Sequence, residues 1–207
     1  MESHIENEMK FTCKGSDTSY IVSGVLAFLN ENKFNVLKQS EKSYCDHYYD
    51  SSDHRLFKNN CSARVRDYGN KMKMTIKIPV SNDNGVTSRK EIESECNSFG
   101  ELQSFLDSNY TECITIGEVG CLRTMRNSII FETDYQYTIT IDLCSMVFDG
   151  NMESFTEIEI ESIDDDCRGE FGLNDLQSYI VEELQFIPVN ESKYSRLLKW
   201  IISHTDC

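Results

Sequence analysis

The sequence predicts an α+β fold in which about eight antiparallel strands form one sheet and a few helices pack outside it. Three observations predict it. Several segments alternate charged and apolar residues with period two, from 5–11 near the start to 156–161 late in the chain. Two closing segments, 174–186 and 191–203, carry apolar residues at helical spacing and need a sheet to cover. The 207 residues contain two prolines and no Gly/Ser-rich linker, so a single domain over 1–207 is expected.

In the first strand Glu6, Glu8 and Lys10 share one face, while Ile5, Met9 and Phe11 take the other. Two glutamates side by side repel unless a cation sits between them. A divalent metal does this, and a lysine beside it suits an anion that the metal also binds. Asp17 or Thr18 then caps a helix running to about Asn32, with Val22, Val25, Leu26 and Leu29 on its apolar face. Residues 43–49 read as extended and aromatic, and 53–60 has turn composition.

Two strands repeat the alternation in positive charge. Arg64 and Arg66 share a face opposite Ala63 and Val65, and Lys73, Thr75 and Lys77 share one opposite Met72, Met74, Ile76 and Ile78. A hairpin turn is expected over 67–71 and another turn over 82–85. Beyond it Arg89, Glu91, Glu93 and Glu95 alternate with Lys90, Ile92 and Ser94, and Ser98 with Glu101 forms a capping box for a helix that buries Leu102, Phe105 and Leu106. Residues 114–126 and 128–133 suggest a strand pair bringing Arg123 and Arg126. Asp142 falls on the polar face of 138–143. Glu157, Glu159 and Glu161 share one strand face, which is destabilising unless cations compensate.

The formal net charge of −15 argues against general nucleic-acid binding, but its distribution is uneven. Nine Lys/Arg fall in 55–90 against Asp67 and Asp83, whereas 142–191 holds fourteen Asp/Glu against Arg168. Such halves invite pairing, or a shared ligand carrying both phosphate and metal. The nine cysteines form no Cys-x-x-Cys pair and follow no export signal, so they read as reduced, mostly buried thiols without a zinc site. No apolar run is long enough to span a membrane, and a soluble cytoplasmic protein is expected.

If the apolar strand faces lie under helices, the charged faces are left on the other side. A flat sheet exposes them to water. A sheet closed into a barrel encloses them, and roughly eight strands leave a lumen for a small ligand.

The ordered set of motifs resembles the CYTH domains, or triphosphate tunnel metalloenzymes. Glu6-x-Glu8-x-Lys10 matches the N-terminal signature and Tyr48-Tyr49-Asp50-Ser51 the family's Tyr-Tyr-Asp-Thr turn. Arg64-Val65-Arg66, Thr75-Ile76-Lys77 and Arg89-Lys90-Glu91-Ile92-Glu93 resemble its central strands. Asp142, Glu157-Ile158-Glu159 and Ser192-Lys193-Tyr194 resemble its late acidic strands and C-terminal motif. The resemblance implies an eight-stranded antiparallel closed β-barrel, a triphosphate tunnel, with Mg²⁺ or Mn²⁺ as cofactor. By the same resemblance Glu6, Glu8, Asp142, Glu157 and Glu159 would hold metal, and Lys10, Arg64, Arg66, Lys77, Arg123, Arg126 and Lys193 would bind phosphate. Lys10 with Tyr49 would position or deprotonate the attacking water. Arg123 departs from the family's usual Lys-x-Arg spacing; Arg126 keeps the usual distance to the next strand. Asp164, Asp165 and Asp166 carry no assigned role. The implied activity is hydrolysis of tripolyphosphate or a related organic triphosphate such as thiamine triphosphate by a monomer or homodimer, with no nucleic-acid or membrane partner. The alternatives are nucleotide cyclisation of the class IV adenylyl cyclase kind, and a polyphosphate- or nucleotide-binding module without turnover.

Overall fold

Side-chain alternation along long strands leaves one apolar and one charged face per strand, and the chain buries the apolar faces under helices by rolling the sheet into a barrel. The computed structural model describes residues 1–15, 17–83, 85–163 and 173–205. Its elements run β1 (Glu2–Lys14), α1 (Thr18–Glu31), β2 (Asn35–Asp50), α2 (Arg55–Lys58), β3 (Ser62–Asp67), β4 (Met72–Asp83), β5 (Val86–Cys96), α3 (Glu101–Asn109), β6 (Gly117–Glu132), β7 (Gln136–Phe148), β8 (Asn151–Ser162), α4 (Asn174–Ser178), β9 (Ile187–Pro188) and α5 (Lys193–Thr205). A π-helical turn, Tyr179–Glu183, extends α4.

The strand order is β5-β4-β3-β2-β6-β7-β8-β1-β9, and β1 also pairs with β5, which closes eight antiparallel strands into a barrel. β1 closes it by dividing its length: residues 2–8 pair with β5 and 8–14 with β8. The two-residue β9 adds to β1 at Phe11 and Thr12. The α+β arrangement expected from the charge alternation is present, and its sheet is closed into the barrel that the family resemblance implied.

Details differ. Residues 114–133 form no hairpin: β6 is one strand that pairs with β2 on one side and β7 on the other. Asn127 continues the ladder opposite Ile141, and with no turn-forming Gly or Pro nearby nothing reverses the chain. The turn-like 53–60 contains the short helix α2. The hairpin expected at 67–71 is present, with Gly69 at φ +85°, a backbone conformation that Gly adopts at no steric cost. Asp17 caps α1 as expected, its Oδ1 accepting from the Ser19 N–H at 2.9 Å, and Glu101 accepts from the Ser98 N–H at 2.9 Å. Seven cysteines are described and all are free thiols, but three of them, Cys61, Cys96 and Cys144, are buried; Cys13, Cys45 and Cys121 are half-buried and Cys113 is exposed. Asp164–Asp166 lie outside the described residues. Among the described residues no helix is long and apolar enough to cross a membrane.

Three apolar clusters fix the helices. α1 lays Ile21, Val25 and Leu29 on Ile139, Ile141, Ile158 and Ile160, the outward residues of β7 and β8. α3 covers Val65, Met74 and Ile76 with Leu102, Phe105 and Leu106. α5 packs Tyr194, Leu197, Leu198 and Ile201 against Leu122, Cys144, Met146 and Phe155. These four lie on the same strand faces as Arg126, Asp142 and Glu157, so α5 caps one end of the barrel. The approach is close: a Cβ on Gly120 would stand 2.8 Å from Ile201 Cδ1.

Asp50, at the end of β2, ties that cap to the strands. Its carboxylate accepts from the N–H groups of Ser51 (2.7 Å), Leu56 (2.9 Å) and Phe57 (3.0 Å), and from the Tyr194 hydroxyl at 2.6 Å. It thus serves the otherwise unpaired start of α2 and the first turn of α5 together. Asp50→Ala removes a charged acceptor and leaves several buried donors unpaired, so urea denaturation is expected to show a loss of about 3 kcal/mol. A loss below about 0.5 kcal/mol, the range of ordinary surface changes, would show that Asp50 does not hold α5 in place.

Candidate active site in the barrel lumen

The register settles which side chains face inward. Across the ladder Glu8 stands opposite Glu161, Lys10 opposite Glu159, Asp142 opposite Glu157 and Arg126 opposite Asp142. On the other side Arg64 is opposite Thr75, Arg66 opposite Lys73, and Lys77 opposite Glu91. The apolar alternates of these residues lie in the outer clusters, so the charged ones line the interior. Of these, Lys10, Arg64, Arg66, Lys77, Glu91, Arg126, Glu159 and Glu161 line one cavity.

Charge is compensated in two groups. In the first, Lys77 stands between Glu6 (2.6 Å) and Glu91, while Lys73 and Thr75 bind Glu93. Burial alone would lower the Lys77 pKa, but Glu6 and Glu91 hold it above the ordinary lysine value. In the second group, Lys193 enters from the first turn of α5 and contacts Glu157 (2.5 Å), Glu159 (2.8 Å) and Asp142 (3.0 Å). Burial opposes its charge and these three carboxylates more than restore it. Arg126 grips Asp142 through Nε (2.7 Å) and Nη2 (2.5 Å) and reaches Glu159 at 2.8 Å. Lys10 lies 2.6 Å from Glu8 and 3.6 Å from Glu159. Among the described residues Glu161 has no such partner: burial, then Glu6, push its carboxyl up to about 8, against the opposing pull of Lys77.

Of the expected phosphate binders, Lys10, Arg64, Arg66, Lys77, Arg126 and Lys193 all line the cavity. Arg123 does not join them. It is exposed on the outer face of β6, because a separation of three residues on one strand places Arg123 and Arg126 on opposite faces. Tyr49 is also outside, packed against the cluster around Leu56 and Cys61. Its neighbour Tyr48 takes the inward place and stacks on Tyr194, centroids 5.3 Å apart. Tyr48 shares strand parity with the buried Tyr44, Asp46 and Asp50, and so Lys10 and Tyr49 are not brought together.

The five expected metal ligands sit in the lumen wall but are spread over lysine and arginine partners. Among the described residues the donor atoms that fall mutually within 4.8 Å are those of His4, Glu91 and Glu93. Sequence reasoning left Arg89, Glu91, Glu93 and Glu161 without a role, and all four line the cavity. Their alternation was a sufficient signal. It missed Asp46, which is wholly buried behind Arg64 and Arg66 and has no charged neighbour in sequence to mark it.

The fold has known counterparts. A putative adenylate cyclase from Bacillus halodurans superposes with a TM-score of 0.58 at 17% identity, covering 95% of this chain and 98% of the other. The protein PH1819 from Pyrococcus horikoshii gives 0.55 at 19% identity, covering 93% and 98%. A putative adenylyl cyclase from Hippeastrum, for which a dominant triphosphatase activity is described, gives 0.54 at 15% identity, covering 93% and 94%. No curated protein matches the chain in sequence. The family model for the CYTH domain matches residues 5–182, most of the chain, and the closed barrel with its inward-facing charges agrees with that match: this protein belongs to the CYTH domain family.

Proposed function

We propose that the protein is a metal-dependent phosphohydrolase that removes the terminal phosphoryl group of tripolyphosphate or a related organic triphosphate. The observation that carries this reading is the convergence of seven cationic side chains, from β1, β3, β4, β5, β6 and α5, on one cavity. A polyanion of several phosphates matches that array, with guanidinium forks suited to bidentate contact with phosphate oxygens. Family membership supports it, as does the triphosphatase activity described for the Hippeastrum protein.

The donor set fits a hard divalent cation. It consists of carboxylate oxygens, and Glu157 Oε2 is buried without a hydrogen-bond partner among the described residues. Glu6, Glu8, Glu157 and Glu159 are the residues that would hold Mg²⁺ or Mn²⁺. Asp142 is engaged by Arg126 and Lys193, and we assign it to them rather than to metal. The ion, when bound, supplies positive charge to the phosphoryl oxygens. The chain's own part is to bind and orient. Arg64, Arg66 and Arg126 hold the phosphates, and Lys193 and Lys77 neutralise charge along the cavity. Lys10, beside Glu8 and Glu159, orients the attacking water. The water oxygen bonds to phosphorus as the anhydride P–O bond breaks, leaving orthophosphate and pyrophosphate.

Phosphate release from tripolyphosphate, thiamine triphosphate and ATP with Mg²⁺ or Mn²⁺ tests the reading. Turnover of at least one triphosphate is expected. Cyclic AMP formed from ATP would replace it by the cyclase reading, and tight binding without product by the binding-module reading. Glu159→Gln should lower turnover by orders of magnitude, partly recovered at high Mn²⁺. Arg64→Ala or Arg66→Ala should instead raise KM by about 10- to 100-fold, each losing a charged hydrogen bond.

The burial of Glu161, with Glu6 and Glu8 adding to it, predicts a pH effect without ligand. Its folded pKa of about 8 lies above the ordinary glutamate value, so the folded state holds an extra proton between the two. The associated stability is fully present below the ordinary value and is lost as pH rises through about 8. Thermal melts in EDTA should fall between pH 6 and 9, a range spanning that titration, and Glu161→Gln should flatten the decline. An unchanged slope in the variant would exclude Glu161 as its source.

A further inference from the structure

We propose that Asp46 and Tyr44 are positioning residues that hold Arg64, Arg66 and Arg126 as a paired guanidinium site for one phosphoryl group. The inference rests on the triphosphate reading and adds residues that neither the motifs nor the cavity wall identify. Asp46 is 0% exposed, whereas the three arginines it bears on, directly or through Tyr44, line the cavity. It stands opposite Arg66 across the β2–β3 ladder. Arg66 donates to it through Nε (2.7 Å) and Nη2 (2.8 Å), and Arg64 Nη1 lies 3.4 Å away.

The β6–β7 ladder repeats this arrangement. Arg126 stands opposite Asp142, also 0% exposed, and grips it through the same two nitrogens. In each pair the carboxylate takes the Nε–Nη2 edge, which fixes the guanidinium plane and leaves Nη1 outside the fork. Tyr44, on the strand between, joins the two pairs. Its ring centroid lies 3.8 Å from Arg66 Cζ and 5.9 Å from Arg126 Cζ. Two guanidiniums brought to one site repel, and an aromatic ring between them offsets part of that cost while keeping them apart.

The device is ready across the physiological range. Burial would raise the Asp46 pKa, but Arg66 and Arg64 overrule it and hold the carboxyl at about 2. A bidentate site formed before the ligand arrives spends no binding energy on ordering arginine side chains. Asp46 therefore acts through the arginines, without touching substrate.

Calorimetric titration of the full chain with tripolyphosphate, combined with Mn²⁺ dependence of its hydrolysis, tests the proposal. Asp46→Asn keeps the shape and removes the charge. It is expected to weaken tripolyphosphate binding roughly tenfold, the worth of one charge-assisted contact, with no change in the Mn²⁺ concentration for half-maximal turnover. Tyr44→Leu should weaken binding in the same way, and Tyr44→Phe should recover most of that loss. If Asp46→Asn fails to fold, the Tyr44 pair decides by the same readout. Folded variants that bind tripolyphosphate as the wild type does, or that shift the Mn²⁺ requirement and leave affinity alone, overturn the proposal. A wild type that binds no tripolyphosphate overturns the triphosphate reading itself, and is recognised before any variant is made.

Discussion

Opposite charges enclosed in one barrel are the constraint on which the rest of this structure depends. A ring of eight strands cannot bury Glu6, Glu8 and Glu157 on its inner wall, with Glu159 half-buried beside them, unless cations stand among them. Lys10, Lys77, Arg126 and Lys193 meet that need. The arrangement is costly in desolvation and gives little net stability, which is consistent with a wall shaped for a ligand. Stability comes from the other side of the same strands, where the isoleucines of β7 and β8 meet α1 and the valine, methionine and isoleucine residues of β3 and β4 meet α3.

This division explains the place of α5. The barrel needs one end covered, and the helix covers it with an apolar face while delivering Lys193 from its first turn into the acidic wall. Structure and site are therefore coupled at that end. The Asp50 carboxylate, which accepts from Tyr194 next in sequence to Lys193, connects the register of β2 to the position of that ammonium. Asp46 lies one same-face position from Tyr44 and two from Asp50 on the same strand, so β2 carries the anchor of the cap, the anchor of the arginines and the ring between the guanidiniums.

Much of the site was legible in the sequence because parity on a strand survives folding. Glu6, Glu8 and Lys10 had to share a face, as did Arg64 and Arg66. The same rule excluded Arg123 and Arg126 from acting side by side, a conclusion available from their spacing that the family resemblance obscured. Parity says which residues go together, but not which set goes inside. In the run from Tyr44 to Asp50 both faces carry aromatic and polar residues, and so Tyr49 was as plausible an inward residue as Tyr48 until β3 and β6 were paired with it.

What the sequence determined by itself was the repeating pattern: alternating strands with one charged face, amphipathic helices to cover the apolar faces, and a basic middle with an acidic end. These follow from backbone geometry and local spacing. The tertiary structure decided the pairings that depend on contacts distant in sequence. Asp142 meets Arg126 from the next strand and Lys193 from the last helix, and Asp46 meets two arginines some twenty residues on. A buried charge takes the nearest available opposite charge, and which one is nearest is set by strand register and barrel closure, neither of which a single strand's pattern contains.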